Sequence, residues 1–172
     1  MSSLFDFPEF KSLLGSSAVH EPEQMPPVVH LYLDPLRRKE REHIEAIFAR
    51  LPKGSYKKEI TDRLLSQNLG DYLGAWYELM VYDWLDKLGK EPALQPSIPN
   101  GKSRPEFMIK SSGLQIFIEV TVVQEARRDR DEGGVWWPAA TRTFKKIGDK
   151  LREKSRQHQI PQGSAYVICL GA

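Results

Sequence analysis

The stretch that decides the fold is RPEFMIKSSGLQIFIEVTVV, residues 104–123. Most of it is typical of a buried β-hairpin whose loop lies at residues 112–113. Two carboxylates, Glu106 and Glu119, are set into the predicted strands, where burial of a charge is costly. Thr121 also lies where a strand facing a core favours an aliphatic residue. The hairpin therefore predicts a sheet and a candidate site together.

The length of the hairpin loop decides whether the two glutamates meet. Successive side chains of a strand alternate between faces, so Glu119 and Thr121 share one face. A two-residue loop pairs residue 111 with residue 114 and sets Glu106 directly across from Glu119. A three-residue loop would put the glutamates on opposite faces unless a bulge restored the register. We expect the two-residue loop.

Two carboxylates that face each other across strands repel, and burial increases the cost. A divalent cation removes the conflict, because the carboxylates and a strand carbonyl such as that of Val120 provide the hard oxygen ligands that Mg²⁺ and Mn²⁺ prefer. An ordinary ion pair between one glutamate and Arg104, Lys110 or a helix lysine removes it equally well. The residues alone leave both alternatives open.

Helical periodicity and cap residues predict four helices around the hairpin, over residues 34–51, 55–67, 71–88 and 139–158. Asp34 and Asp71 are the expected caps of the first and third helices. The third helix has apolar residues at three- and four-residue spacing that predict its buried face: Leu73, Trp76, Tyr77, Met80, Trp84 and Leu88. Because this helix is apolar nearly all round, we expect Glu78 to be semi-buried on it.

Strand patterns complete the predicted order of elements. A short strand at residues 93–98 precedes the hairpin, and residues 165–172 form a continuous apolar strand of the kind that is covered on both faces. The order of helix, three strands, helix and strand predicts an α/β sandwich around a mixed sheet. We expect a flexible arm over residues 1–29, a helical segment over 30–69 and the α/β core over 70–172. The stop directly after the last strand suggests either a core that is truncated there or a natural terminus.

Composition restricts the class of protein. At 172 residues the chain has about the length of one domain, and its net charge of +2 gives no strong global field. A single cysteine excludes an intrachain disulfide and indicates a reducing compartment. The sequence contains neither an apolar run of bilayer length nor a signal peptide, so we expect a cytoplasmic protein without a membrane partner. The four histidines lack ligand spacing, which argues against a zinc site.

The glutamates and their context resemble the PD-(D/E)xK phosphodiesterase superfamily, which has the restriction-endonuclease-like fold. GAWYELMVYDWLDKLG is similar to the family's acidic helix, with Glu78 as its carboxylate. RPEF is similar to the Pro-Asp element, with Glu106 in place of the aspartate. FIEVT is similar to the last element, with Glu119 as the acid and Thr121 in place of the lysine. The resemblance covers residues 70–172 and implies an α-β-β-β-α-β core.

The resemblance implies a metal-dependent nuclease that hydrolyses phosphodiester bonds of nucleic acid, and we expect DNA rather than RNA as its substrate. Glu106 and Glu119 would hold Mg²⁺ or Mn²⁺, and Glu78 would assist them. Thr121 cannot carry a positive charge, although its hydroxyl can bind a water or a phosphate oxygen. The stretch KLREKSRQ is similar to the helix lysine and glutamine of several branches of the superfamily, so either Lys150 or Lys154 would supply the missing charge.

The same basic helix is the candidate for nucleic-acid binding. Between residues 142 and 156 there are seven Lys or Arg and two acidic residues, which is typical either of a phosphate-binding surface or of a solvated helix face. The candidate contacts are Arg142, Lys145, Lys146 and Gln157.

Two further functions remain open. The loss of the strand lysine is also compatible with a catalytically inactive domain of the same fold that binds nucleic acid or protein, or with a scaffold domain whose glutamates form ion pairs. The oligomeric state is open as well, with a homodimer among the alternatives.

Overall fold

The computed structural model describes residues 3–17, 25–98, 104–123, 138–157 and 161–171. Side chains at positions 138–145, 155 and 157 lie outside that description. The chain forms two compact units, Met1–Lys87 and Leu88–Ala172. The boundary thus follows the third predicted helix, whereas the sequence suggested a core that begins at residue 70.

The described residues of the N-terminal unit form five α-helices: α1 Pro8–Ser17, α2 Pro27–Leu33, α3 Arg38–Arg50, α4 Ser55–Leu64 and α5 Leu69–Lys87. Short 3-10 helices, Leu4–Asp6 and Pro35–Arg37, precede α1 and α3. Asp34 caps the second of these as predicted, because its carboxylate accepts a hydrogen bond from the backbone N–H of Leu36 at 2.9 Å. Leu36 itself is 93% exposed.

The described residues among the first 29 differ from the flexible arm that the sequence suggested. Wherever they are described, these residues are mainly helical, and Leu4, Phe5 and Phe10 are buried. The ring centroid of Phe5 lies 5.0 Å from that of Phe10 and 5.1 Å from that of Tyr32. Aromatic packing of this kind buries a large apolar area with few residues, so it stabilises a segment that lacks sustained periodicity.

Helix α5 begins two residues earlier than predicted and buries a different face. Asn68, not Asp71, caps it, since the Asn68 side-chain oxygen accepts a hydrogen bond from the N–H of Gly70 at 2.7 Å. Trp84 and Leu88 are 55% and 53% exposed, contrary to their predicted burial. The buried positions are instead Tyr72, Gly74, Ala75, Glu78, Leu79, Asp83 and Leu85. An apolar pattern that runs nearly all round a helix does not determine which face is buried.

The described part of the C-terminal unit contains one α-helix, α6, and a mixed four-stranded sheet of order β1-β2-β3-β4. Their bounds are β1 Ala93–Leu94, β2 Phe107–Ser111, β3 Leu114–Val122, α6 Pro138–Gln157 and β4 Ala165–Gly171. The first three strands are antiparallel neighbours, and β4 runs parallel to β3. A parallel neighbour needs a crossover connection, which here contains α6. The predicted α/β class with a mixed sheet is confirmed.

The hairpin between β2 and β3 has the two-residue loop that the sequence predicts. Ser111 pairs with Leu114, and the loop residues Ser112 and Gly113 have φ angles of +51° and +80°. Positive φ at both central positions is characteristic of the type I′ turn that favours tight hairpins. Phe107 pairs with Ile118, so the same register continued by one residue sets position 106 across from position 119.

Strand β4 is less covered than its continuous apolar sequence suggested. Val167 and Leu170 are 43% and 39% exposed. Among the described strands β4 is the last in the sheet order, and an edge strand has a neighbour on one side only. Phe117 pairs with Tyr166 and Glu119 with Ile168. Because paired residues of parallel strands point to the same face, Tyr166 shares the face of Glu119.

Candidate functional site

Glu119 is a buried carboxylate in the middle of the sheet, and Lys154 of α6 neutralises it. The Glu119 side chain is 3% exposed, and its Oε1 accepts a hydrogen bond from the ammonium group of Lys154. Lys154 itself is 17% exposed. Of the two explanations for the paired glutamates, the ion pair with a helix lysine is therefore present. Burying a carboxylate at this depth requires such a partner.

Glu106 lies beside this ion pair and is held from two directions. Its Oε2 accepts a hydrogen bond from the backbone N–H of Val120 at 2.7 Å. Its own carbonyl accepts one from the N–H of Gln95, just after β1, at 2.8 Å. The carboxylate of Glu106 thus reaches the backbone of the residue that follows Glu119. We call Glu106 and Glu119 the acidic pair.

Tyr166 of β4 lies at the acidic pair, although the sequence did not single it out. Its hydroxyl donates to the backbone carbonyl of Lys154 at 3.5 Å. Burial raises the pKa of Tyr166, and the negative charges of Glu119 and Glu106 raise it further. Alternation along β4 could have indicated this residue only if the register with β3 had been known.

The thiol of Cys169 also responds to the acidic pair. Burial raises the pKa of this cysteine, and the charge of Glu106 adds to the effect. The thiol is therefore less readily ionised than an ordinary one.

Thr121 and Lys150 are placed differently from Lys154. Thr121 is 7% exposed and lies two residues beyond Glu119 on the same face. The ammonium group of Lys150 contacts Glu153 at 3.0 Å within α6. Of the two candidate lysines, Lys154 is the one that contacts the acidic pair.

Of the predicted nucleic-acid contacts, Lys146 is exposed on α6. The side chains of Arg142, Lys145 and Gln157 lie outside the described residues. Their role in binding stays a prediction.

Glu78 belongs to the N-terminal unit and has a cationic partner there. It is 2% exposed and accepts a hydrogen bond from Arg63 at 2.5 Å. The hydroxyl of Tyr56 donates to its other oxygen at 3.5 Å. Its burial is greater than the semi-buried position that the sequence predicted, and Arg63 accounts for it. A role for Glu78 in metal binding stays a prediction.

The acidic pair suits a hard divalent cation by the chemistry of its donors. Both members offer carboxylate oxygens, and Mg²⁺ commonly takes one or two carboxylates while it retains several waters. Among the described residues, no group of three or more His, Cys, Asp or Glu is arranged to hold a metal. A cation at this site would therefore rely on two carboxylates, backbone oxygen and water.

No protein-family model matches the chain, and neither a curated protein nor a solved structure gives a match to it. In the described part of the chain, no helix combines the length and the apolar character needed to cross a bilayer. The interpretation of the acidic pair therefore depends on its own residues.

Proposed function

We propose that the chain is a metal-dependent nuclease of the restriction-endonuclease-like fold, which hydrolyses phosphodiester bonds of nucleic acid, with DNA rather than RNA as the expected substrate. The order α5, β1, β2, β3, α6, β4 along the chain supports this proposal, because it agrees with the α-β-β-β-α-β core that the resemblance implies. Mg²⁺ or Mn²⁺ is the proposed cofactor.

One observation carries the proposal. Lys154 lies 35 residues beyond Glu119 in the sequence, yet it contacts Glu119, and Glu106 of the same hairpin binds the backbone beside it. Two carboxylates and one lysine are the functional groups of the superfamily's strand motif. Here the lysine comes from α6 instead of the strand position that Thr121 occupies. This arrangement supplies the positive charge that the sequence pattern lacks.

The chain's own residues have separate tasks in the proposed reaction. Glu106 and Glu119 would hold the cation, and Lys154 offers positive charge to the phosphoryl oxygens as their negative charge increases. A bound divalent cation would lower the pKa of a water molecule and polarise the phosphoryl group. In hydrolysis the water oxygen forms a bond to phosphorus while the bond from phosphorus to the leaving sugar oxygen breaks. The water loses one proton to solvent, and the leaving oxygen gains one.

Cleavage assays with matched variants test the proposal. Duplex DNA, single-stranded DNA and RNA are incubated with the wild-type protein in Mg²⁺, Mn²⁺ or EDTA. We expect cleavage that requires the metal and that falls to background in Glu106→Gln and Glu119→Gln. Lys154→Met should slow cleavage about 100-fold or more, because it removes charge stabilisation from the transition state. Glu153→Gln is the matched control, since Glu153 is an exposed carboxylate of α6 that contacts Lys150.

Two other outcomes would contradict the nuclease proposal. Flat melting curves with and without Mn²⁺, together with no cleavage of any substrate, would leave Lys154 and Glu119 as a structural ion pair. Binding of DNA without cleavage in any divalent metal would select the inactive binding domain. The burial of Thr121 at the position of the strand lysine is the observation that favours this alternative.

A further inference from the structure

Lys154 forms an ion pair with Glu119, one of the carboxylates that the proposed function assigns to a metal. The ammonium group contacts Glu119 Oε1, while Glu106 binds the N–H of the next residue, Val120. The ammonium group of Lys154 therefore already compensates the negative charge of Glu119, one of the two charges of the acidic pair. A divalent cation at Glu119 would have to tolerate the positive charge of Lys154 at close range or displace it.

We propose that Lys154 is an exchangeable counter-ion that makes metal binding depend on nucleic acid. A phosphodiester oxygen takes over the ammonium group of Lys154, which leaves Glu119 available to the divalent cation. Metal and nucleic acid then strengthen each other's binding, because each removes a competitor of the other. The inference rests on the proposed function, since it assumes that the acidic pair binds a metal.

The unequal exposure of the two partners supports the exchange. The Glu119 side chain is 3% exposed and that of Lys154 is 17% exposed. An anion that approaches from solvent thus meets the lysine before the glutamate. Glu119 cannot lose its counter-ion without a replacement at this depth, because an unpaired buried carboxylate is strongly unfavourable. Departure of Lys154 and arrival of a metal are therefore coupled events.

The anchoring of Lys154 allows its ammonium group to move while α6 stays in place. The hydroxyl of Tyr166 donates to the backbone carbonyl of Lys154 at 3.5 Å, which ties the helix to β4. The ammonium group is carried on a flexible four-carbon stem and is a compact, strongly hydrated charge. A shift of its rotamer is sufficient to carry the charge from a carboxylate to a nearby phosphate.

Neighbouring cations of α6 are engaged elsewhere and do not provide the same exchange. Lys150 contacts Glu153 and Arg152 contacts Asp149, each at 3.0 Å. Both of these ion pairs lie within α6 itself. Arg152 is 72% exposed and is therefore a suitable matched control for the removal of a positive charge from this helix.

Binding of Mn²⁺ measured by electron paramagnetic resonance tests the inference without relying on activity. The ligand is a DNA duplex with phosphorothioate linkages that resists hydrolysis, and Mn²⁺ bound by the duplex alone is subtracted. We expect the duplex to strengthen Mn²⁺ binding by the wild-type protein about 10-fold or more. Lys154→Met without the duplex should bind Mn²⁺ as tightly as the wild-type protein with it, and the duplex should add less than about 2-fold. Arg152→Met should behave like the wild-type protein.

Several outcomes would overturn the inference. Equal Mn²⁺ affinity of wild-type and Lys154→Met proteins, or a duplex effect that persists in Lys154→Met, would show that Lys154 does not compete with the metal. If Lys154→Met does not fold, Lys154→Gln replaces it, and a wild-type protein that is insensitive to the duplex is sufficient to refute the coupling. Metal-dependent cleavage without coupling would refute this inference alone. Absence of Mn²⁺ binding under every condition would refute the nuclease proposal as well.

Discussion

Gly74 of α5 has no side chain, and the space this leaves is needed for the partner of a buried carboxylate. A Cβ built on Gly74 would lie 2.3 Å from Nη2 of Arg63, which is closer than nonbonded atoms approach. The same guanidinium donates to the buried carboxylate of Glu78. The glycine therefore provides the space through which Arg63 reaches Glu78.

We expect Gly74→Ala to destabilise the protein even though alanine favours helices. The new methyl group displaces Arg63, and the loss of a partner for Glu78 outweighs the gain in helix propensity, for a net loss of about 2 kcal/mol. Urea denaturation followed by circular dichroism measures the change. Gly15→Ala in α1 is the control, because no described atom lies within 4 Å of its added Cβ, and it should stabilise the protein by about 0.5–1 kcal/mol. Equal stabilisation by both substitutions would contradict this account of Gly74.

At the candidate site, the positions that depend on short-range geometry could be predicted from the sequence. A two-residue loop and strict alternation are short-range properties, so the opposition of Glu106 and Glu119 could be predicted. The resemblance of KLREKSRQ to the helix lysine and glutamine of the superfamily limited the candidate lysines to Lys150 and Lys154, which are one turn apart and differ by about 40° around the helix. Selecting Lys154, and finding Tyr166, required the parallel register of β3 and β4, which depends on long-range packing and not on any local signal.

At the scale of elements, Asp83 links α5 to α3 inside the N-terminal unit. Its side chain is 6% exposed and contacts Arg50 of α3 and, at 2.6 Å, Lys87 of α5. His43 of α3 lies 3.5 Å away. Burial by itself raises the pKa of Asp83, but the hydrogen bonds from Lys87 and Arg50 together outweigh it, so the pKa lies below its usual value.

The lowered pKa of Asp83 predicts a loss of stability in acid. A carboxylate whose pKa is lower in the folded protein stabilises it above the unfolded pKa of about 4 and loses this contribution as the pH falls through the folded pKa. We therefore expect the free energy of unfolding to fall more steeply below about pH 4 in the wild-type protein than in Asp83→Asn. Urea denaturation between pH 7 and pH 2.5 measures this difference.

Asp86→Asn provides the matched control for the Asp83 substitution. Asp86 contacts the same Arg50 at 3.2 Å from the same helix, but it is 47% exposed. At pH 7 we expect a loss of about 1–2 kcal/mol for Asp83→Asn and under about 0.5 kcal/mol for Asp86→Asn. Identical acid profiles for Asp83→Asn and the wild-type protein would contradict the role of Asp83.

The existence and type of the longer elements followed from periodicity and capping, but burial within α5 did not. Hydrophobic periodicity assigned Trp84 to the interior, whereas the structure buries Asp83 and Glu78. A carboxylate becomes tolerable inside only when a specific partner is present, and the partners Arg50 and Arg63 lie on other helices. Pairing between helices is a tertiary property, so it left no periodic signal in α5.

At the scale of the whole molecule, charge is balanced and local surfaces must account for any binding of nucleic acid. The net charge is +2 among 48 charged residues, 25 basic and 23 acidic. Much of the positive charge described on α6 is already engaged, by Glu153, Asp149 and Glu119. Long-range attraction of a polyanion is therefore weak. Individual exposed lysines such as Lys146 are expected to contribute measurably to the affinity for nucleic acid.

The salt dependence of DNA binding tests the contribution of Lys146. For the proposed DNA-binding function, we expect Lys146→Ala to weaken binding and to reduce the slope of log K against log salt by about 1. Fluorescence anisotropy with a labelled duplex between 50 and 200 mM salt measures both quantities. Lys39→Ala is the control, since Lys39 is an exposed lysine of α3 in the N-terminal unit. An unchanged slope in Lys146→Ala would indicate that α6 does not contact the phosphates.

The type I′ turn at Ser112 and Gly113 limits how the hairpin can change in length. One inserted residue would move every side chain between the turn and Glu106 to the opposite face of the sheet. Glu106 and Glu119 would then lie on different faces. Two inserted residues would preserve the facing, as would one insertion that is compensated by a bulge. Natural variants that keep the acidic pair are therefore expected to differ in this loop by even numbers of residues. An odd insertion in such a variant implies a bulge elsewhere in β2 or β3.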